Sequence, residues 1–473
     1  MAEIQFLLND RLIKTSLQEG LVLLDFVREH QRLTGTKIGC REGDCGACSV
    51  LIGTLEGEGV KYLPVTSCLF PLGRVHGMHV VTVEGISKET LTPVQRAMVE
   101  HSGTQCGFCT PGFVVSMTGF ALESSSVYQD DPRDAISGNI CRCTGYKSIE
   151  RALSEVSEQL QQKPQGSEQM AWLIEKGFVP PYFAGIPARL RAIPARRPVE
   201  LASSTSTPTV LLGGGSDLNV QRPEAIRDAD VAFAQDYAST AIDEQDGFVY
   251  IGGAATMEDL NRSPLIAQTL PSIRSWMRLV ASTPIRTIAS IAGNLVNASP
   301  IGDVTILMLA LGAEIELTAQ HAQRWLPLEE LYLGYKTLSK QQGEILSRLR
   351  FPSTTPQSRV NFEKVSKRTF LDIASVNAAM RLEVQDDIIQ KARLSAGGVA
   401  PIPKLLRETS QWLVGQPLTW ATALEAAERA QSEVQPISDI RGSADYKRLL
   451  LRQLVLAHFA EATAIPVVKE ALL

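Results

Sequence analysis

A chain of 473 residues exceeds what one hydrophobic core can organise, so several domains are expected. Hydrophobic residues make up 44% and charged residues 21%, an ordinary globular composition. The net charge is −5 and no run of five Lys/Arg occurs, so there is no electrostatic basis for nucleic-acid binding. The opening "MAEIQFLLND" lacks the basic flank and cleavage site of a signal peptide. The most apolar later stretch, Val304 to Ala313, is about half the ~20 residues of a membrane span and reads as a buried helix. A cytoplasmic chain without membrane contact is therefore expected.

Residues 1–86 read as a small β-rich domain. "IQFLLND" and "RLIKTSL" are strand-like runs around a hairpin turn at Asn9-Asp10. "VLLDFVREHQRL" then places Leu23, Phe26, Val27 and His30 at helical spacing. The cysteine-rich loop "GCREGDCGAC" follows, with strands around Ser49 to Leu55 and Val80 to Val83.

From 87 to 162 the pattern is helical. Thr92-Pro93-Val94-Gln95 carries an N-cap, a proline at the first helical position and the glutamine of a capping box. Thr110-Pro111 repeats the cap-plus-proline signal, and "SIERALSEVSEQLQQ" is a further amphipathic helix. Residues 163–207 read as linker and the start of the next domain, with "PPYFAGIPARL" a candidate for order against a neighbour. Strand and helix signals mix over 208–355. A last domain over 360–465 opens with strands and closes on the helix "DYKRLLLRQLVLAHF".

All eight cysteines fall between Cys40 and Cys143. In a reducing compartment this favours metal ligation over disulfides. Cys40, Cys45, Cys48 and Cys68 have the C-x4-C-x2-C spacing of plant-type [2Fe–2S] sites, with Cys68 as the later fourth ligand. A cluster carries concentrated negative charge, which inward-pointing backbone N–H groups offset. Gly39, Gly43 and Gly46 permit the close, left-handed turns this requires. Zinc sites usually use paired C-x2-C knuckles, which this set lacks. The second set, Cys106, Cys109, Cys141 and Cys143, is C-x2-C followed by C-x-C and by spacing alone is open to zinc. Together the cysteines form two complete tetrads with none left over, the arrangement of two clusters in series.

"GCREGDCGACSV", "QCGFCTPG" and "GNICRCTGY" resemble the iron–sulfur signatures of the xanthine dehydrogenase and aldehyde oxidase family of molybdenum hydroxylases. The resemblance implies a multidomain α+β chain. A β-grasp ferredoxin-like domain would hold the outer cluster. A four-helix [2Fe–2S] domain would hold the inner cluster, near a molybdenum cofactor whose pterin contacts Gln105.

The later half carries two glycine- and amide-rich segments. "VLLGGGSDLNV" suits a strand-to-turn phosphate cradle at Leu211, Leu212, Gly213, Gly214, Gly215, Ser216 and Asp217, and equally suits an ordinary glycine turn; it is not a G-x-G-x-x-G fingerprint. "TPIRTIASIAGNLVNASPIGD" supplies Ser290, Ala292, Gly293, Asn294, Asn297, Ser299 and Asp303, and equally suits a polar capping loop. The pair resembles the family's vanillyl-alcohol-oxidase-like FAD domain, with Ala292 replacing a glycine of T/S-x-G-G-N. By the same resemblance Val280 and Leu346 would flank the flavin and Asp303 would bind near its ribityl or ring side. Leu333 to Thr337, "LGYKT", would lie near the acceptor site, and a C-terminal α+β flavoprotein domain would follow. Ser375 stands where some animal members carry a flavin-contacting lysine.

His76 and His79 read as surface residues on opposite faces of a strand, and no second metal set is formed by histidines. The resemblance implies an electron-transfer subunit with two [2Fe–2S] clusters and FAD, partnered with a molybdenum-binding large subunit and handing electrons to NAD+. Two of each chain would assemble into a heterotetramer. Purine hydroxylation is favoured over aldehyde or other N-heterocycle oxidation. A redox-inactive zinc-binding assembly protein is the rival of a different class.

Overall fold

The computed structural model describes residues 3–87, 89–123, 131–196, 209–319 and 322–463. They divide into two compact units, Met1–Phe233 with Ser282–Ala289, and Ala234–Ala281 with Ser290–Leu473.

In the first unit, β1 (Ile4–Leu8) and β2 (Arg11–Thr15) form an antiparallel hairpin. Its two-residue turn sets Asn9 at φ 52, where asparagine is tolerated. β3 (Ser49–Glu56) pairs antiparallel with β4 (Gly59–Thr66), and β5 (His79–Val81) joins β1 in parallel. The five-stranded sheet has the order β2-β1-β5-β3-β4. The expected helix after β2 forms as one turn, Leu23–Asp25, that widens into a π-helical turn, Phe26–His30. It buries Leu23, Leu24, Phe26 and Val27 against Phe6, Leu72 and Val80.

Four helices follow: α1 (Pro93–Glu100), α2 (Thr110–Leu122), α3 (Lys147–Leu160) and α4 (Gln169–Glu175). The capping box at α1 is complete. The Gln95 amide donates to Thr92 Oγ1 at 3.2 Å, and the Thr92 amide donates to Gln95 Oε1 at 2.9 Å. α2 is apolar on nearly every face and runs through the core, which gathers Phe113, Met117, Ile149, Leu153, Leu173 and Phe178. Within the stretch that sequence reads as linker, residues 166–191 form short helices whose Leu173, Phe183, Ile186 and Leu190 are buried. Prolines break the apolar periodicity there, but every one of these turns after Gly166–Glu168 still buries an apolar residue. The residues 197–207 of that stretch lie outside the described ones. β6 (Val210–Leu212) and β7 (Val231–Phe233) complete this unit as a parallel pair.

His79 is not on the surface. It is fully buried, with Nδ1 2.7 Å from the Tyr62 hydroxyl and Nε2 2.9 Å from the Asn9 carbonyl. Both ring nitrogens find partners, which makes burial tolerable. His76 is also engaged, accepting from the Gln5 amide at 3.2 Å.

The second unit holds a five-stranded antiparallel sheet. Its strands are β8 (Ile242–Gln245), β9 (Phe248–Gly252), β10 (Glu314–Ala319), β11 (Ala322–Pro327) and, after the small hairpin β12 (Tyr332–Gly334) with β13 (Thr337–Leu338), β14 (Ile345–Pro352). A further sheet orders β15 (Ser358–Val365), β16 (Val376–Gln385), β17 (Ile388–Gly397) and β18 (Lys404–Leu405). Helix α5 (Asp303–Leu311) lies against β16 and β17, with Val304 to Leu311 buried. The apolar stretch is thus an internal helix, and among the described residues no helix is long and apolar enough to cross a membrane. α6 (Trp420–Ser432) and α7 (Ala444–Thr463) cover the last sheet around Leu394, Ala426, Leu451 and Phe459.

Candidate functional site

The loop before β3 carries Cys40, Cys45 and Cys48, and Cys68 follows β4. Cys48 and Cys68 are buried, Cys40 and Cys45 half-buried. The sulfurs fall into two hydrogen-bonded pairs, Cys40 with Cys45 and Cys48 with Cys68. Backbone N–H groups point inward, from Glu42 to Cys40 Sγ at 3.3 Å and from Cys40 to Cys45 Sγ at 3.5 Å. The glycines are required sterically. A Cβ at Gly39 would come within 2.6 Å of Cys45 Sγ, and one at Gly46 (φ 66) within 2.3 Å of the Gly138 carbonyl. In each pair one thiol titrates low. The hydrogen bond from Cys45, aided by backbone amides, holds Cys40 down to about 5, and that from Cys68 lowers Cys48. Their partners Cys45 and Cys68 are raised, first by donating that same hydrogen bond and then by burial, so each pair on its own holds one thiol and one thiolate.

The second tetrad forms where α2 and α3 begin. Cys106 and Cys143 sulfurs are 3.4 Å apart, and Cys109 pairs with Cys141. Cys109 is the N-cap of α2, and Thr110, expected as the cap, instead bonds Thr104 at 2.8 Å. Cys141 receives the Thr144 amide at 3.4 Å and lies 3.1 Å from its hydroxyl. Burial raises the Cys109 thiol to about 12, whereas Cys106 is lowered, first by the Phe108 amide. Cys106 and Cys143 are exposed, and so are Gln105 and the ring of Phe108 beside them. The inner tetrad is therefore closed toward the helices and open on one face.

In the first unit the glycine loop leaves β6 and is pinned from two sides. A Cβ at Gly214 would sit 1.9 Å from the Ile288 carbonyl, so only glycine fits. Gly215 (φ 77) is held by Asn219, whose amide donates to the Gly215 carbonyl at 3.0 Å. The buried Asn219 side chain donates to the Leu69 carbonyl at 2.9 Å, one residue beyond Cys68. Arg74 Nη1 reaches the Gly214 and Ile288 carbonyls at 3.4 and 3.3 Å. Asp217 takes a bond from Gln221 at 2.8 Å.

In the second unit the segment from Ser290 is built as a helix start. Ser290 Oγ accepts the Gly293 amide at 3.1 Å. Ala292 lies within the helical turn Ile291–Val296, in right-handed backbone, so alanine in place of glycine costs nothing there. Asn294 Oδ1 accepts from the Thr305 hydroxyl at 2.9 Å. Val280 and Leu346 are buried. Asp303 opens α5 with both carboxylate oxygens engaged, by Lys364 Nζ at 2.8 Å and Asn377 Nδ2 at 2.6 Å. Lys364 also donates to the Leu279 carbonyl at 2.6 Å, next to Val280. The "LGYKT" hairpin is tethered by Lys336, which donates to the Asn297 carbonyl at 2.6 Å, and exposes Leu333 and Tyr335. Ser375 donates to the Arg441 carbonyl at 3.0 Å and so has a structural use.

Lys364, Asn377, Asn219 and Arg74 are not singled out by sequence. Each acts through a contact distant along the chain, and only the alternation of "NFEKV", which turns a lysine inward, carries a trace of it.

Four family models match the chain in order. They are the 2Fe-2S iron-sulfur cluster binding domain over 6–72 and the [2Fe-2S] binding domain over 82–154. The FAD binding domain in molybdopterin dehydrogenase follows over 195–354, and the CO dehydrogenase flavoprotein C-terminal domain over 362–462. The chain thus carries two [2Fe–2S] domains and an FAD-binding domain, and each cysteine set supplies four thiols in two close pairs, a donor chemistry that suits such a cluster. It is 29% identical over 510 residues to xanthine dehydrogenase 1 of Arabidopsis thaliana, covering 91% of this chain and 37% of the relative. It is 28% identical over 521 residues to xanthine dehydrogenase of Drosophila subobscura, covering 95% and 38%. The chain therefore spans less than two fifths of the length of these curated relatives. Among solved structures, reconstituted CO dehydrogenase from Oligotropha carboxidovorans matches at a TM-score of 0.51 and 27% identity, over 55% of this chain and 91% of that one. The cyanide-inactivated Cu,Mo-CO dehydrogenase matches at 0.50 and 26%, over 54% and 90%.

Proposed function

The chain belongs to the molybdenum hydroxylase family as its iron–sulfur and FAD portion, and from that premise we propose that it is the electron-transfer subunit of a xanthine dehydrogenase. In this reading electrons from hypoxanthine or xanthine oxidation, at a molybdenum cofactor on a partner subunit, leave through this chain to NAD+. The observation that carries it is the match to xanthine dehydrogenases across more than nine-tenths of this chain, with all four modules in one polypeptide. A chain of the solved CO dehydrogenase is matched over 91% of its own length by 55% of this chain, which supports part of this architecture existing as a separate polypeptide in that enzyme.

The ligand reading is that Cys40, Cys45, Cys48 and Cys68 hold the outer cluster, and Cys106, Cys109, Cys141 and Cys143 the inner one. The open face at Gln105, Cys106 and Cys143 is read as the side that meets the partner's pterin. For FAD, Leu211 to Asp217 are assigned to phosphate contact. Ser290, Ala292, Gly293, Asn294 and Asp303 are assigned to the pyrophosphate and ribityl chain, and Val280 and Leu346 to the ring. When bound, the clusters would carry single electrons and the flavin would exchange electron pairs with a nicotinamide. A heterotetramer of two chains of each kind is the assembly this reading expects. The same architecture serving an aldehyde or another N-heterocycle is the second reading; the likeness to CO dehydrogenase structures supports only that this architecture is used outside purine oxidation.

The test is purification of the chain alone and with a co-expressed partner. The reading expects flavin and iron–sulfur absorption and NADH oxidation with an artificial acceptor from the chain alone, and xanthine-dependent NAD+ reduction with molybdenum only in the complex. Colourless, zinc-loaded protein, or xanthine oxidation by the isolated chain, overturns it.

A further inference from the structure

Tyr146 sits in left-handed backbone at φ 68 and ψ −29, directly after Gly145 at φ 65. Glycine adopts that region freely, while a bulky residue is strained there. A second glycine would make the same turn without strain, so the position is explained by its side chain, not by the turn. The ring packs against the apolar core of the helical domain, and the hydroxyl oxygen accepts the Cys141 amide at 3.1 Å. The backbone is locked around it. The Tyr146 amide donates to Thr144 Oγ1 at 3.3 Å, and its carbonyl accepts the Glu150 amide at 2.8 Å in the first turn of α3. Thr144 meanwhile serves the Cys141 sulfur with its amide at 3.4 Å. The donors around Cys141 are therefore divided: Thr144 supplies the sulfur and Tyr146 takes the ligand residue's own N–H.

We propose that Tyr146 is a positioning residue that lowers the reduction potential of the inner cluster by diverting the Cys141 amide away from sulfur. The inference rests on the reading of Cys106, Cys109, Cys141 and Cys143 as cluster ligands. An N–H donated to cluster sulfur favours the more negative, reduced state and raises the potential. The tyrosine oxygen competes for that N–H. Without it a part-buried amide must find another acceptor, and the proposal assigns that role to the anionic sulfur of the cluster.

The experiment is an EPR-monitored redox titration of the full chain, with iron counted, for the native protein and Tyr146→Phe. Phenylalanine keeps the ring packing and loses only the oxygen. The Cys143→Ser variant identifies which signal belongs to the inner site. The expected result is a higher midpoint and altered g-values for the inner cluster, while the outer cluster of the same molecule stays put. Tyr146→Gly, which relieves the backbone and also removes the oxygen, shifts the same way and serves if the phenylalanine variant takes up no iron there. An inner midpoint that is unmoved or lowered, or two clusters that move together, overturns the role of Tyr146. Native protein with iron for one cluster only, whose signal survives Cys143→Ser, overturns the ligand reading itself.

Discussion

Lys364 Nζ lies 2.8 Å from Asp303 Oδ2, with 1% of the lysine side chain and 13% of the aspartate side chain exposed. Burial pushes the Asp303 carboxyl above its ordinary range, and the Lys364 ammonium is the charge that opposes this. Removing one member of such a pair leaves an uncompensated buried charge, at a cost of about 3–5 kcal/mol. Lys364→Met is therefore expected to destabilise its unit by that order in denaturant unfolding. The double variant with Asp303→Asn, having no charge left to strand, should regain most of the loss. A double variant no more stable than Lys364→Met would refute the pairing. If Asp303 contacts FAD, the double variant should still bind FAD weakly despite its restored fold.

The glycine loop makes a second prediction. Asn219→Ala removes the donor to the Leu69 carbonyl and leaves a buried acceptor unpaired, worth about 1–3 kcal/mol. If the loop holds the FAD phosphates, the variant should bind FAD about ten-fold or more weakly while retaining its iron. The ratio of flavin to iron after gel filtration, with a fluorescence titration of the apoprotein, reads this directly. Gly214→Ala is harsher, because its Cβ would overlap the Ile288 carbonyl. It should give protein without flavin.

Much of this site is legible in the sequence where its logic is local. Ligand spacing within "GCREGDCGAC", the Gly39 that clears Cys45 Sγ and the Thr92–Gln95 capping box are all relations over a few residues, and the fold keeps them. Lys364 illustrates the opposite case. Its importance follows from the pairing of β15 with β16, which sets it opposite Asn377, a register no short stretch encodes. His79 fails for a related reason. Only His79 is in a strand, since His76 ends the 3-10 turn before it, and the cover over His79 comes from Tyr62 and Phe183, the latter more than a hundred residues further on. Residues 166–191 hide their burial because prolines interrupt the period by which helices are recognised.

The two tetrads should be separable by single substitutions. Cys143→Ser lies on the exposed side of the inner site, and Cys68→Ser in the buried core of the outer one. Each is expected to halve the iron and acid-labile sulfide of the purified chain. Cys68→Ser should also lower stability, because Cys68 packs among the apolar residues of the ferredoxin-like sheet. Iron analysis beside thermal unfolding distinguishes the two. Undiminished iron in either variant would remove that cysteine from the ligand set.

Acid stability tests the buried histidines. His458 is fully buried on the inner side of α7, its Nδ1 3.2 Å from Asn361 Nδ2, and burial lowers its pKa to about 3. Burial likewise lowers His79 to about 4. In the unfolded chain both take up a proton near pH ~6.5. Between that value and the folded pKa the unfolded state binds more protons than the native one, so stability present above pH 6.5 is lost as the pH falls. The loss approaches about 1.4 kcal/mol per pH unit for each histidine and ends once the folded pKa is passed. His458→Gln keeps a hydrogen-bonding side chain for Asn361 and removes the titration. Its melting temperature should therefore fall less steeply than that of the native chain between pH 7 and 5, with any acid loss of the clusters common to both. Parallel profiles for the two proteins would mean that His458 takes up its proton in the folded state as readily as in the unfolded one.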